Sequence, residues 1–267
     1  MMRKIVVKFG GSLFTDKDTT PLSVKELMEN AEKYIRYDNM KRVALETVDA
    51  VRAHRDISFL WLIHGVGPFG HFLIQDNRWE EVGSISMVHQ YCEFFNGSVV
   101  EQFTEAGLPV APIHPFKTCV ATDSKFDMTK LYEDGIEIIE NKRVPFTYGD
   151  IVPAQDGDYK VLSGDDIAVY LAEKWKASIL MVTDVDVSDK DPKKFDDAKI
   201  IKEISRDEVI KLRDEKRIDV SGGIYGKIRR LQEAAKKGIF CQIINGTKEG
   251  NVYEALMGNE DIGTKIV

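Results

Sequence analysis

The sequence predicts an α/β fold: a mostly parallel sheet covered by helices on both faces. Two observations carry this expectation. Short β-branched apolar runs alternate with longer helix-forming stretches along the 267-residue chain, as in strands joined by crossover helices. Glycine-and-charge clusters also recur beside those apolar runs, and open α/β sheets gather ligands at their strand ends.

Each element follows in order. Ile5-Val6-Val7 and Phe59-Leu60-Trp61-Leu62-Ile63 are strand-like, and Val24 to His54 between them carries helix-forming residues. Met87 to Ala106 predicts a helix stopped by Gly107, followed by a strand over Val110-Ala111-Pro112-Ile113. Phe116 to Asp127 reads as a hairpin or loop, and Met128 to Asn141 as a helix before Val144-Pro145-Phe146. The turn signal Asp156-Gly157-Asp158 predicts a β-hairpin ahead of Ser163. Asp165 to Lys176 then predicts a helix, and Ile179 to Val182 a buried strand delivering Thr183 and Asp184 at its carboxyl end. A charged loop (Lys190 to Lys199), a surface helix (Arg206 to Glu215), a helix (Lys227 to Gly238) and a late strand (Gln242-Ile243-Ile244) complete the pattern. With no repeat or flexible linker, any two lobes must share one continuous sheet.

Composition narrows the function. The chain is 43% hydrophobic and 30% charged, a soluble globular balance. Its net charge of -7 supplies no basic footprint for nucleic acid. No apolar run approaches the roughly 20 residues that cross a bilayer, and Met1-Met2-Arg3-Lys4 leads into a strand without a small-residue cleavage site. A cytoplasmic protein without membrane or nucleic-acid partners is expected. Cys92, Cys119 and Cys241 are scattered and odd in number, and the five histidines form no His-Glu-x-x-His pair. Reduced buried thiols and no structural metal are the expectation.

Five clusters can carry chemistry. Lys8 precedes Gly10-Gly11-Ser12, where missing β-carbons let backbone N–H groups approach an anion, and Lys17 adds a second cation. A plain turn with surface lysines is the competing account, and the spacing is not that of a P-loop. Gly65-Val66-Gly67-Pro68-Phe69-Gly70 follows the strongest apolar strand and leads to His71, a possible side-chain donor to a phosphate; His64 reads as structural. Ser163-Gly164-Asp165-Asp166 forms a helix cap, and a carboxylate there can also orient phosphate-binding lysines. Asp184 and Asp186 suit a nucleotide or Mg²⁺, sharing a face if the strand persists through them. Asp219-Val220-Ser221-Gly222-Gly223 places Lys227 in the first turn of a helix, whose N-terminus attracts anions. Two glycine loops and three lysines are the parts needed to gather several phosphates, so the ensemble argues for phosphoryl transfer.

Together these residues resemble the amino acid kinase superfamily, most closely the archaeal-type isopentenyl phosphate kinases. The likeness runs through Lys-x-Gly-Gly-Ser with a downstream Asp-Lys, Phe69-Gly70-His71, Phe126-Asp127, Tyr148-Gly149-Asp150, the Ser163 tetrad, Thr183-Asp184-Val185-Asp186, Lys190-Asp191-Pro192, Gly222-Gly223 to Lys227, and Gly263-Thr264. It implies an open αβα sandwich, usually a homodimer, with residues 1–160 binding the acceptor and 161–267 binding ATP. Lys8 and Lys17 would stabilise the transferring phosphoryl group beside Gly10, Gly11 and Ser12. Gly65, Val66, Gly70 and Lys160 would line the acceptor site, and His71 would hold the acceptor phosphate. Asp165 would organise the lysines, Asp184 and Gly222 would lie by the nucleotide, and Lys227 would contact its terminal phosphates. ATP, with Mg²⁺, would be the donor. The acceptor is already ionised, so positioning and charge neutralisation replace a general base.

Three departures bear on the acceptor. Family members commonly carry Gly-Gly-Gly-Ser where this chain has Gly65-Val66-Gly67-Pro68; Val66 resists positive φ and Pro68 lacks an N–H. Lys160 replaces a small residue, and Val187-Ser188 replaces Gly-Ile-Tyr with one residue fewer. The competing readings are a same-fold kinase for another small phosphate, phosphonate or carboxylate, of the fosfomycin, uridylate or acetylglutamate type, and a nucleotide-binding protein without turnover. His71 favours a phosphate or phosphonate acceptor. Lysines on both sides of the transferred group argue against a pure binder.

Overall fold

The structure, a computed structural model, describes residues 4–16, 24–70, 82–123, 125–190, 195, 197–207 and 223–267. Its strands in chain order are β1 (Ile5–Phe9), β2 (Leu60–His64), β3 (Val110–Pro112), β4 (Val120–Ala121), β5 (Phe126–Asp127), β6 (Val144–Tyr148), β7 (Asp150–Pro153), β8 (Tyr159–Leu162), β9 (Ser178–Thr183), β10 (Glu203–Ile204), β11 (Cys241–Asn245) and β12 (Thr264–Ile266). Eight of them form one sheet in the order β10-β12-β11-β9-β1-β2-β6-β3. All pairings in it are parallel except β11 with β12, so the sheet is mixed rather than purely parallel. β1 lies between β2 and β9, where the chain's strand order reverses, and its five residues are all buried.

Burial on both faces explains why β1, β2 and β9 read as continuous apolar runs. Successive side chains alternate between two cores. Val7, Phe9, Leu60 and Leu62 join the core under α3 (Tyr37–His54) and α4 (Val82–Glu105). Val6, Trp61, Ile63 and Met181 join the one under α6 (Thr129–Glu140), α7 (Gly164–Trp175) and α8 (Gly223–Lys236). The remaining helices are short: α1 (Gly11–Phe14), α2 (Val24–Glu29), α5 (Pro115–Thr118) and α9 (Asn251–Leu256).

The expected helix over 24–54 is divided. After α2 and a 3₁₀ turn at Ala31–Tyr34 the chain extends at Ile35, which bridges Thr15, while the Arg36 N–H donates to the Phe14 carbonyl at 2.8 Å. Tertiary pairing with the segment after β1 thus overrides local helix preference. The hairpin expected around Asp156-Gly157-Asp158 is β7–β8, with Gly157 at φ 87°. Of the charged loop, Lys190 pairs with Asp197 at 2.5 Å. Most of the Arg206 to Glu215 stretch lies outside the described residues. No helix among the described residues is long and apolar enough to cross a membrane.

Helix α6 packs its Gly135 directly on the fully buried Trp61, whose ring also stacks on Tyr132 at 6.2 Å. A β-carbon at 135 would lie 2.0 Å from the indole Cη2. Gly135→Ala is therefore expected to destabilise the protein by about 1–3 kcal/mol through overpacking, although alanine is the better helix former. A lowered urea midpoint at unchanged slope is the readout; an unchanged or raised midpoint would refute the packing argument.

Candidate functional site

Alternation along β1 sends Lys8 to the same side as Val6, towards α7 and α8. There it is 3% exposed and its Nζ lies 2.7 Å from Asp165 Oδ1. Asp165, in the first turn of α7, is 2% exposed, and its Oδ2 accepts from Lys227 Nζ at 2.9 Å. One buried carboxylate thus joins two lysines that are 219 positions apart. The described part of α8 begins at Gly223, so Lys227 sits one turn into it rather than in its first turn.

Burial lowers the Lys8 ammonium to a pKa of about 8, the neighbouring Lys227 charge adds to that, and Asp165 opposes it. Burial disfavours the Asp165 carboxylate as well, but the two cations outweigh it and hold the group far below the ordinary carboxylate range. Ser163 caps the same helix: its Oγ accepts from the Asp166 N–H at 3.1 Å and donates to Asp166 Oδ2 at 2.8 Å. Asp166 in turn holds Arg230 Nε at 2.6 Å.

The two glycine loops meet backbone to backbone beside this triad. The Gly65 N–H donates to the Phe9 carbonyl at 2.8 Å, and the Gly10 N–H to Val182 at 2.7 Å. A β-carbon on Gly11 would lie 2.4 Å from the Gly67 nitrogen, and one on Gly65 2.7 Å from the Gly11 nitrogen. The turn that Val66 would resist is taken by Gly67 at φ 54°. Val66 is 7% exposed, with its side chain in the core under Gly70. It therefore has its backbone, not its side chain, to offer an acceptor. His64 is fully buried, with Nδ1 3.1 Å from the Gly65 carbonyl and Nε2 3.0 Å from the Asn96 amide; burial pushes its pKa down to about 4.

At the carboxyl end of β9, Ser12 Oγ donates to Asp184 Oδ1 at 2.6 Å. The strand stops at Thr183, so the expected shared face for Asp184 and Asp186 does not form. Asp186 instead engages Asn245 Nδ2 at 3.1 Å and Lys248 Nζ at 2.9 Å. Lys160 lies on β8, half exposed and 3.5 Å from Asp158. Lys17, His71 and Gly222 fall outside the described residues. Among the expected residues that are described, Lys8, Asp165 and Lys227 form one charge network, which Gly65 approaches directly and Gly11 through its contact with Gly65; Gly10, Ser12 and Asp184 lie at the end of β9, and Val66 and Gly70 pack towards the core under α4.

Sequence reading missed Arg230 as the partner of Asp166 in the first turn of α7, Lys248 as the partner of Asp186 beyond β9, and His89 as the partner of Asp150, 2.9 Å away. No spacing rule joins residues so far apart. Lys248 alone carried a local signal, a cation beside Gly246 and Gly250 just past a strand.

Residues 3–245 match the model of the amino acid kinase family. The isopentenyl phosphate kinase of Methanocaldococcus jannaschii is 31% identical over 98% of this chain and 97% of that protein. That of Methanothermobacter thermautotrophicus is 30% identical over 98% of each. A solved isopentenyl phosphate kinase structure superposes with a TM-score of 0.78 at 27% identity, covering 99% of this chain and 100% of that one.

The triad holds two cations for one anion, so the site favours a further anion. Below a pH of about 8 Lys8 carries its charge; above it the charge is lost. Affinity for sulfate, which does not titrate in this range, is expected to fall by up to about tenfold per pH unit above that point. Titration calorimetry at pH 7 and 9 reads this, and Lys8→Arg, which stays charged, is expected to flatten the change. A pH-independent sulfate affinity in the unsubstituted protein would exclude Lys8 from the anion site.

Proposed function

We propose that this chain, which belongs to the amino acid kinase family and is a small-molecule kinase, transfers the γ-phosphoryl group of ATP to isopentenyl phosphate, forming isopentenyl diphosphate. The observation that carries the reading is the buried Lys8–Asp165–Lys227 network beside two interlocked glycine loops. It supplies an excess positive charge where phosphates would meet. The names and full-length coverage of the similar archaeal kinases support the acceptor.

The residues act by position and charge. In this reading residues 1–160 hold the acceptor and 161–267 the nucleotide. Lys227 holds the terminal phosphates of ATP, and Lys8 and Lys17 face the phosphoryl group as its charge spreads in the transition state. Asp165 fixes Lys8 and Lys227 in a single arrangement, which limits reorganisation during transfer. Gly10, Gly11 and Ser12 admit the phosphates closely to the backbone, while Asp184 and Gly222 border the nucleotide. On the acceptor side, Gly65, Val66 and Gly70 offer backbone groups, His71 binds the acceptor phosphate and Lys160 adds positive charge. The acceptor oxygen, already ionised, attacks phosphorus directly and ADP leaves. No proton needs removing from it.

Among the described residues no group of three or more His, Cys, Asp or Glu side chains is gathered as a metal cage. Asp184 and Asp186 are engaged by Ser12 and by Lys248 with Asn245, a donor set that fits an ion brought in on phosphate oxygens better than a resident one. Mg²⁺ held in that way, with Asp184 nearest the β1 loop, would neutralise phosphate charge.

An ATP-consumption assay across isopentenyl phosphate, dimethylallyl phosphate, fosfomycin, UMP and acetylglutamate tests the acceptor. Preference for isopentenyl phosphate is expected; preference for any acceptor outside the prenyl phosphates would overturn the assignment. Lys17→Ala is expected to lower kcat by about 10²-fold with ATP affinity nearly kept, the mark of a contact made in the transition state. Unchanged kcat would remove Lys17 from the mechanism. His71→Ala is expected to raise the acceptor KM, and normal acceptor kinetics would refute its role.

A further inference from the structure

A second buried charge network lies beneath the acceptor-side glycine loop and is used by none of the steps above. Cys92 Sγ, on α4, packs under Gly70, 3.6 Å from where a β-carbon there would be. Next to it is Asp150, whose side chain is wholly buried at the start of β7. Its Oδ1 accepts the Ile151 N–H at 2.8 Å, and its Oδ2 lies 2.9 Å from His89 Nδ1 on α4. The His89 ring lies nearly parallel on Phe116, with centroids 4.1 Å apart and planes at 19°. Phe116 in turn stacks on Tyr159 of β8, the neighbour of Lys160.

Helix α4 is thereby tied directly to β7 through Asp150 and, by way of Phe116 on α5, to Tyr159 on β8. The hairpin runs straight into Ser163-Gly164-Asp165, with Asp150 paired to Leu162. The same helix floors the glycine loop through Cys92. One imidazole therefore sits at the joint between the acceptor loop and the hairpin that leads to the lysine-binding aspartate.

We propose that His89 is a positioning residue of the acceptor site: as the imidazolium it locks helix α4 to the β7–β8 hairpin, and loss of its proton loosens acceptor binding while leaving nucleotide binding intact. The inference rests on the assignment of the Gly65–Gly70 loop to the acceptor.

The surroundings favour the charged ring. Burial alone would lower the His89 pKa, but Asp150 and, from α4 itself, Glu93 at 3.6 Å outweigh it, and the net shift is upward. Lys117 on α5 acts the other way. His114, facing Glu93 at 3.3 Å and the Tyr148 hydroxyl at 2.9 Å, is itself shifted downward by burial first. Burial also raises Cys92 and Tyr148, which stay neutral, and it raises the Asp150 carboxyl, against which the His89 contact works. A neutral His89 would still hydrogen-bond Asp150, but would leave a buried carboxylate without its counter-charge and weaken the cation–π contact with Phe116. Because the folded pKa is raised, the clamp is complete below the ordinary histidine value and is lost as pH climbs through the raised one.

The test is steady-state kinetics from pH 6 to 9 with whichever acceptor of the panel is turned over, for the unsubstituted enzyme, His89→Gln and Phe116→Leu. His89→Gln keeps an N–H donor but no charge. It is expected to raise the acceptor KM about fivefold at pH 6, to change kcat and the ATP KM less than twofold, and to remove the histidine limb from the pH profile of acceptor KM. The acceptor's own ionisation is common to all three proteins and cancels in the comparison. Phe116→Leu, with His89 intact, is expected to raise the acceptor KM and move the limb to lower pH. Superimposable profiles would overturn the proposal, as would parallel changes in both KM values and kcat, which mark general damage. A ring-proton NMR titration of the unsubstituted protein that places His89 at or below about 6.5 would overturn it whichever acceptor is used. Failure of isopentenyl phosphate as substrate would instead fall on the acceptor assignment alone.

Discussion

The fold is organised around one carboxylate that two lysines need. Asp165 is nearly inaccessible to water, and so is Lys8; removing either partner of such a pair typically costs about 3–5 kcal/mol, because the other charge is left buried alone. The arrangement is not a neutral pair, since Lys227 adds a second cation on the other oxygen. Desolvation and the neighbouring cation press Lys8 to release its proton, and an incoming phosphate relieves that pressure. Binding of an anion and protonation of Lys8 are therefore linked. A site built in this way holds its charge in readiness rather than in compensation, as electrostatic preorganisation requires.

The glycines serve this network in a second manner. They were legible as anion-loop residues, but their most direct structural effect is close packing. Gly11 and Gly65 approach so nearly that neither tolerates a β-carbon, and one on Gly164 would lie 3.4 Å from Lys8 Cε and 3.2 Å from the His64 carbonyl. Gly65 and Gly164 thus bring the chain close against the Lys8 side chain, which leaves the lysine few conformations. Gly263 acts likewise at the far end of the sheet. At φ 66° it turns the chain into antiparallel β12, with Ile243 oxygen 2.1 Å from any β-carbon placed there.

Much of the fold was legible because burial on both faces of a parallel sheet produces uninterrupted apolar runs. β1, β2, β6, β9 and β11 are buried at every residue, and an apolar run marked each of them in the sequence. The two-residue β10 and three-residue β12 did not, since elements so short carry no usable periodicity. The helix ends at Arg55, Lys142 and Lys176 carry no glycine, and all three residues adopt positive φ. The break after α2 was invisible because its cause is a hydrogen-bonding partner, Phe14, that is distant in the chain. At the site, the lysine and glycine clusters were legible one by one, whereas the convergence of Lys8 and Lys227 on one carboxylate is a property of strand alternation and helix placement together.

Turnover, not mere nucleotide storage, fits these residues. A protein selected only to hold ATP gains most from contacts equal in ground and transition state, and neutral donors or exposed cations provide those at little folding cost. Burying Lys8 on a central strand, with a carboxylate and a second lysine to hold it, sacrifices stability for a charge that cannot move. Such rigidity has little value for binding, because a flexible surface lysine would follow the phosphate wherever it settled. It is valuable where charge must already be in place as it develops on a transferring group, in the few tenths of an ångström between reactant and transition state. The cost in fold stability and the demand of the chemistry meet at the same three side chains.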